Sequence, residues 1–121
     1  MMTMGKTKKK AKARKARSRI SAARLAEMIE EATVDAHDES EQVMGWFTMF
    51  ESCLELPFET EVLGVRVTVE AIEQRDDNRI VAVCKRGKEN QAIELTELPE
   101  PREKPAGAEW IEAYRQWRGG Q

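Results

Sequence analysis

The residues best suited to chemistry in this chain lie between Val34 and Gln42, where Asp35, Asp38, Glu39 and Glu41 crowd around His37 and Ser40. Carboxylates this close repel one another, at ~0.2–0.5 kcal/mol for each like-charged pair three or four positions apart on a helix. Two kinds of partner offset that cost. Free first-turn amides and the helix dipole stabilise a carboxylate by ~0.3–1 kcal/mol, and Asp38-x-x-Glu41 has the spacing of a capping box. A hard divalent cation does the same by coordination, and calcium accepts carboxylate, carbonyl and water oxygens together. Magnitudes do not separate these readings, and both stand. Asp35, Asp38, Glu39 and Gln42 share one helical face that continues onto Val43, Trp46 and Phe50. The carboxylates then point to the rim of the core, where a neighbouring loop can complete a coordination shell.

Other chemistries fit less well. The EF-hand spacing is absent. Zinc favours His and Cys, whereas this chain has one His, and Cys53 and Cys84 lie far apart with no CxxC pattern, as free thiols do. Cys84 is expected to be buried in a strand. His37 reads as a solvated neighbour of the helix cap, with no Ser or Cys nucleophile in register. Asp76-Asp77-Asn78 offers a second, weaker set of oxygens, although Asp and Asn there are ordinary turn residues. With no nucleophile motif, phosphate loop or metal triad, the chain is expected to bind and not to catalyse.

The elements that must position these residues follow from periodicity. Ile20, Leu25, Met28 and Ile29 predict a helix capped by Ser18 or Ser21 and ending near Ala32. Val43, Trp46, Phe47, Phe50 and Leu54 form one helical stripe, and Pro57 ends it. Val65, Val67 and Val69 alternate with polar residues, and Ile80 to Cys84 is a β-branched run. Asp76-Asp77-Asn78 and Arg86-Gly87-Lys88 are the expected turns, Gly64 a bend or bulge, and Ala92 to Leu95 a further strand. Three of the four prolines fall between Pro99 and Pro105, an extended connector. Beyond it, Gly107 to Trp117 predicts a helix whose Trp110, Ile111, Tyr114 and Trp117 face a core; their helical spacing outweighs a base-stacking role, and Glu109 and Glu112 repel phosphates. The sum is an α+β fold: N-terminal helices, a small antiparallel sheet short enough to curl into an SH3-like barrel, and a C-terminal helix.

Charge divides the 121-residue chain. Residues 1–19 hold nine Lys/Arg and no acid, while residues 20–121 hold eleven Lys/Arg against twenty-two Asp/Glu, a net charge of −11. We expect residues 1–19 to form a disordered basic arm and residues 20–118 a single acidic domain. The arm suits nonspecific contact with nucleic acid or another polyanion, or with the acidic body itself; the body suits cations or basic partners. No secretory signal or membrane span is evident, so the cytoplasm is the expected compartment.

Several segments, taken together and in order, resemble a known family. They are Asp35-Ala36-His37-Asp38-Glu39-Ser40-Glu41-Gln42, Gly45-Trp46-Phe47, Leu56-Pro57-Phe58-Glu59, Val62-Leu63-Gly64-Val65, Ile80 to Cys84, and Glu109 to Tyr114. Over about residues 33–118 the chain resembles the CcbP-type bacterial calcium-binding proteins, first recognised in cyanobacteria. The resemblance implies calcium binding without an EF-hand, in buffering or signalling; the composition, rich in carboxylates and poor in His and Cys, suits magnesium as well, as a competitor. By analogy Asp38 comes first among the ligands, then Asp35, Glu39 and Glu41. Two features depart from the family pattern: His37 stands where an aromatic such as Tyr is commoner, and the basic arm is extra. The rival reading is an SH3-like interaction module whose arm engages nucleic acid or an acidic partner, with the acidic segment merely capped.

Overall fold

The computed structural model describes residues 20–119, so the basic arm and its expected disorder lie outside the described residues. Helix α1 spans Ala22–Ala32 and is capped by Ser21, whose hydroxyl accepts from the Arg24 amide at 3.0 Å. It ends at Thr33, whose amide and hydroxyl both donate to the Ile29 carbonyl. Helix α2, Glu39–Cys53, buries Val43, Trp46 and Phe50 of the stripe expected from spacing; Phe47 is half-buried, and the buried Leu54 lies just past the helix as its C-cap. The two helices touch backbone to backbone at Gly45, where a Cβ would lie 2.0 Å from the Ala32 carbonyl oxygen.

Four antiparallel strands follow: β1 (Phe58–Val62), β2 (Val65–Arg75), β3 (Arg79–Arg86) and β4 (Glu89–Glu94). Sheet order equals chain order, so β1 and β4 are the two edges and the sheet stays open; it does not curl into an SH3-like barrel. Its inner side is instead covered by helices, with α2 packing on β2 and β3, so burial is achieved without closure. Gly64 is not a bulge. With Leu63 it forms the tight β1–β2 turn, both residues having positive φ (52° and 79°), the geometry that suits the twist of a two-residue hairpin. The bulge lies at Glu70, between the pairs Val69↔Cys84 and Ala71↔Val83. It shifts the alternation by one, so Val67, Val69 and Ile72 are all buried.

A short 3-10 turn, Leu95–Glu97, leads into the proline connector, tied to β1 by the buried Thr60 hydroxyl, which donates to the Pro99 carbonyl at 2.9 Å. Helix α3, Ala108–Gly119, then buries Trp110, Ile111, Ala113, Tyr114 and Trp117. Three of these rings surround the fully buried Trp46, with centroids 5.5 Å (Tyr114), 5.8 Å (Trp117) and 6.3 Å (Trp110) away. They are core, not a stacking platform. No described helix is long and apolar enough to cross a membrane.

Candidate metal site

The acidic segment links α1 to α2, and its local geometry begins with the cap. Asp38 has extended backbone (φ −139°, ψ 176°) and its Oδ1 accepts from the Glu41 amide at 2.9 Å. Glu41 Oε1 accepts in return from the His37 amide at 2.6 Å, one residue earlier than in the usual box. The capping geometry therefore exists. It does not exhaust the donors, because each carboxylate has two oxygens and about four lone-pair positions.

Asp35 stands apart from this helix. Its φ of 60° places it in the left-handed region, in a turn closed by the Ala36 amide donating to the Thr33 carbonyl at 3.1 Å. Asp tolerates that conformation because its short polar side chain bonds locally. The single helical face through Asp35, Asp38 and Glu39 is thus not formed, since α2 begins only at Glu39. Asp35, Asp38, Glu39 and Glu41 are all exposed. Among the described residues no three Asp, Glu, His or Cys side chains converge closely enough to hold a metal ion. The donors are nonetheless hard carboxylate oxygens beside a turn with free backbone carbonyl capacity, the set that calcium or magnesium takes. His37 is exposed and uses its backbone, not its ring, in the cap.

The most strongly engaged member is Glu39. Its Oε2 accepts from Arg118 Nη1 at 3.0 Å, and Arg118 also donates to the Tyr114 hydroxyl at 3.1 Å and to the Asn78 carbonyl. The guanidinium lies over the Trp117 and Tyr114 rings, 5.1 and 5.7 Å from their centroids. Burial alone lowers the Arg118 pKa, but the hydrogen bonds to Tyr114 and Glu39 outweigh it and hold the group above its ordinary value. Arg118 was not singled out from the sequence. The available signal was a basic residue in the last turn of α3, where the helix dipole favours one; its partners depend on tertiary contacts.

The turn Asp76-Asp77-Asn78 lies on the other side of Arg118. Asp77 is held by Arg79 at 2.8 Å, and that hydrogen bond pulls its pKa below the usual carboxylate value. Asn78 has a φ of 63° and contributes the carbonyl that Arg118 grips. Cys53 and Cys84 are both free, and burial of Cys84 in β3 pushes its thiol pKa up.

A family model described as calcium binding, that of the CcbP proteins, matches residues 26–118 and so spans the acidic segment, the sheet and α3. The chain belongs to the CcbP calcium-binding family. Membership makes calcium its ligand, and the CcbP fold recurs in solved structures. The crystal structure of Anabaena CcbP is 21% identical and aligns with a TM-score of 0.67 over 84% of this chain and 94% of that one. A structure described as a calcium-binding protein in its calcium-binding form is also 21% identical, with a TM-score of 0.65 over 80% of this chain and 90% of that one. At this identity the two show a shared fold. No curated protein sequence matches the chain.

Proposed function

We propose that this member of the CcbP family binds calcium at the start of α2, through Asp38 first and then Asp35, Glu39 and Glu41, as a non-catalytic buffer or signalling protein. The observation that carries the reading is the set of four exposed carboxylates in and beside the Asp38 cap, inside the matched region. Each has a second role or lies apart, so assembling a shell requires side-chain movement, and water must supply the remaining oxygens. Weak affinity is the expected result. The Asp76-Asp77-Asn78 turn is a second, weaker candidate. The cytoplasm is the proposed compartment, and residues 1–19 are the part suited to polyanions or nucleic acid.

Calorimetric titration of calcium in magnesium-containing buffer, with an Asp38→Asn variant beside the wild type, tests this. Asn caps a helix as well as Asp, so the variant keeps the local fold and loses one charge. Binding weakened by about 1 kcal/mol or more supports the site, on the scale of a charge-assisted contact. Unchanged calcium affinity in the variant removes Asp38 from the ligand set and leaves it a helix cap.

A further inference from the structure

Arg118 gathers oxygens from three parts of the fold: the Glu39 carboxylate on α2, the Asn78 carbonyl in the β2–β3 turn and the Tyr114 hydroxyl on α3. Its side chain is 23% exposed against 56% for Glu39, and two aromatic rings lie beneath the guanidinium. This is a permanently charged group held in a cage of hard oxygens, one of them from Glu39, the residue that follows Asp38 in the chain. Carboxylate and carbonyl oxygens are also the donors calcium prefers, at 2.3–2.6 Å. Glu39 Oε2 already lies 3.0 Å from Arg118 Nη1. A calcium ion bound to the same oxygen would stand within a few ångströms of the guanidinium, and two cations so close repel.

We infer that Arg118 is an internal cation that competes with calcium for Glu39, so that calcium binding releases Glu39 from Arg118 and loosens the tie between α2, the β2–β3 turn and the end of α3. The inference rests on the calcium site proposed at the start of α2 and concerns its regulation. It gives calcium a way to alter a surface beyond the ligands, since Arg118 covers Trp117. A purely structural clamp makes a different prediction: removing Arg118 then weakens the fold and gains nothing for calcium.

The test is calcium titration of the full chain in magnesium-containing buffer, comparing wild type, Asp38→Asn and Arg118→Gln, with the Arg118 Nε–H resonance followed by NMR in the wild type. Arg118→Gln is expected to bind calcium about fivefold more tightly, the scale of a partly exposed ion pair. The Nε–H resonance, shifted by the rings beneath it, is expected to move as calcium saturates. Wild-type binding that weakens in Asp38→Asn, with no tightening in Arg118→Gln and a static Nε–H signal, overturns the competition and leaves the proposed site intact. A wild type that takes up no calcium overturns the site, and the competition with it; Asp38→Asn binding as well as wild type removes only Asp38 from the ligands, and the Arg118→Gln comparison still decides the competition. If melting shows Arg118→Gln to be unfolded, the wild-type resonance decides alone.

Discussion

Substituting Gly45 by alanine sets two physical terms of opposite sign against each other at the joint that carries the acidic segment. In the middle of α2, alanine is favoured over glycine by ~1 kcal/mol. The added Cβ, however, lies 2.0 Å from the Ala32 carbonyl oxygen, and real Cβ contacts are essentially never under 3.0 Å, so α1 and α2 must part by about 1 Å. A gap of that size forfeits a quarter to a half of the dispersion contacts across it. Met28, Val43 and Trp46 are each 0% exposed in the core that these helices share. Burial of such a side chain is worth ~1.5–3 kcal/mol, so the loss centres near 2.5 kcal/mol and the net destabilisation near 1.5 kcal/mol. For a domain of about one hundred residues the melting temperature should fall by roughly 6–12 °C. Calorimetric melting of Gly45→Ala is the assay. Ala26→Gly on the exposed side of α1 reports the propensity term alone. If Gly45→Ala melts above the wild type, helix propensity has won and the close approach of α1 and α2 does not exist in solution. Because residues 33–38 bridge these helices, calcium affinity should fall in the same variant, read by titration.

Without calcium, Asp38→Ala should lose about 1 kcal/mol by urea unfolding, since the Glu41 amide loses its acceptor, while Asp38→Asn stays within a few tenths; equal losses in both would contradict the cap. Trp46→Ala should cost ~3–5 kcal/mol, because the ring is the hub of the aromatic core. Trp46→Phe should cost clearly less in the same assay, since the indole N–H has no described hydrogen-bond partner to lose. Stability should also decline at alkaline pH. Burial raises the folded pKa values of Cys84 and Tyr114 above their ordinary 9.0 and 10.0. A raised value contributes stability that is complete below the unfolded pKa and lost as pH rises through the folded one. Melting temperature should therefore hold to about pH 9 and fall above it, and Cys84→Ala should delay the first part of that fall.

The apolar stripe of α2, the buried face of α3 and the turns at Asp76–Asn78 and Gly87–Lys88 were legible in the sequence, because each is set by spacing within one segment. So was the Asp38 cap, which needs only a carboxylate and an amide three residues on. The family was legible too, since its segments recur in order along the chain. The barrel expectation failed on a question of closure: strand alternation shows which face of a strand is buried, not whether the first strand meets the last. Gly64 was assigned a bend or bulge where the chain makes a hairpin turn, because a glycine marks unusual backbone without naming its kind. Asp35 was placed on α2 because helical spacing alone cannot show where a helix starts, and the left-handed turn after α1 ends that continuity.

By itself the sequence determined the elements, the acidic cluster and the calcium-binding family. Only the tertiary structure decided that Glu39 faces Arg118 from 79 positions away, beside the Asn78 carbonyl. Local pattern records what neighbours along the chain do for one another, whereas the partner of a charge is chosen by which surfaces the packed core brings together.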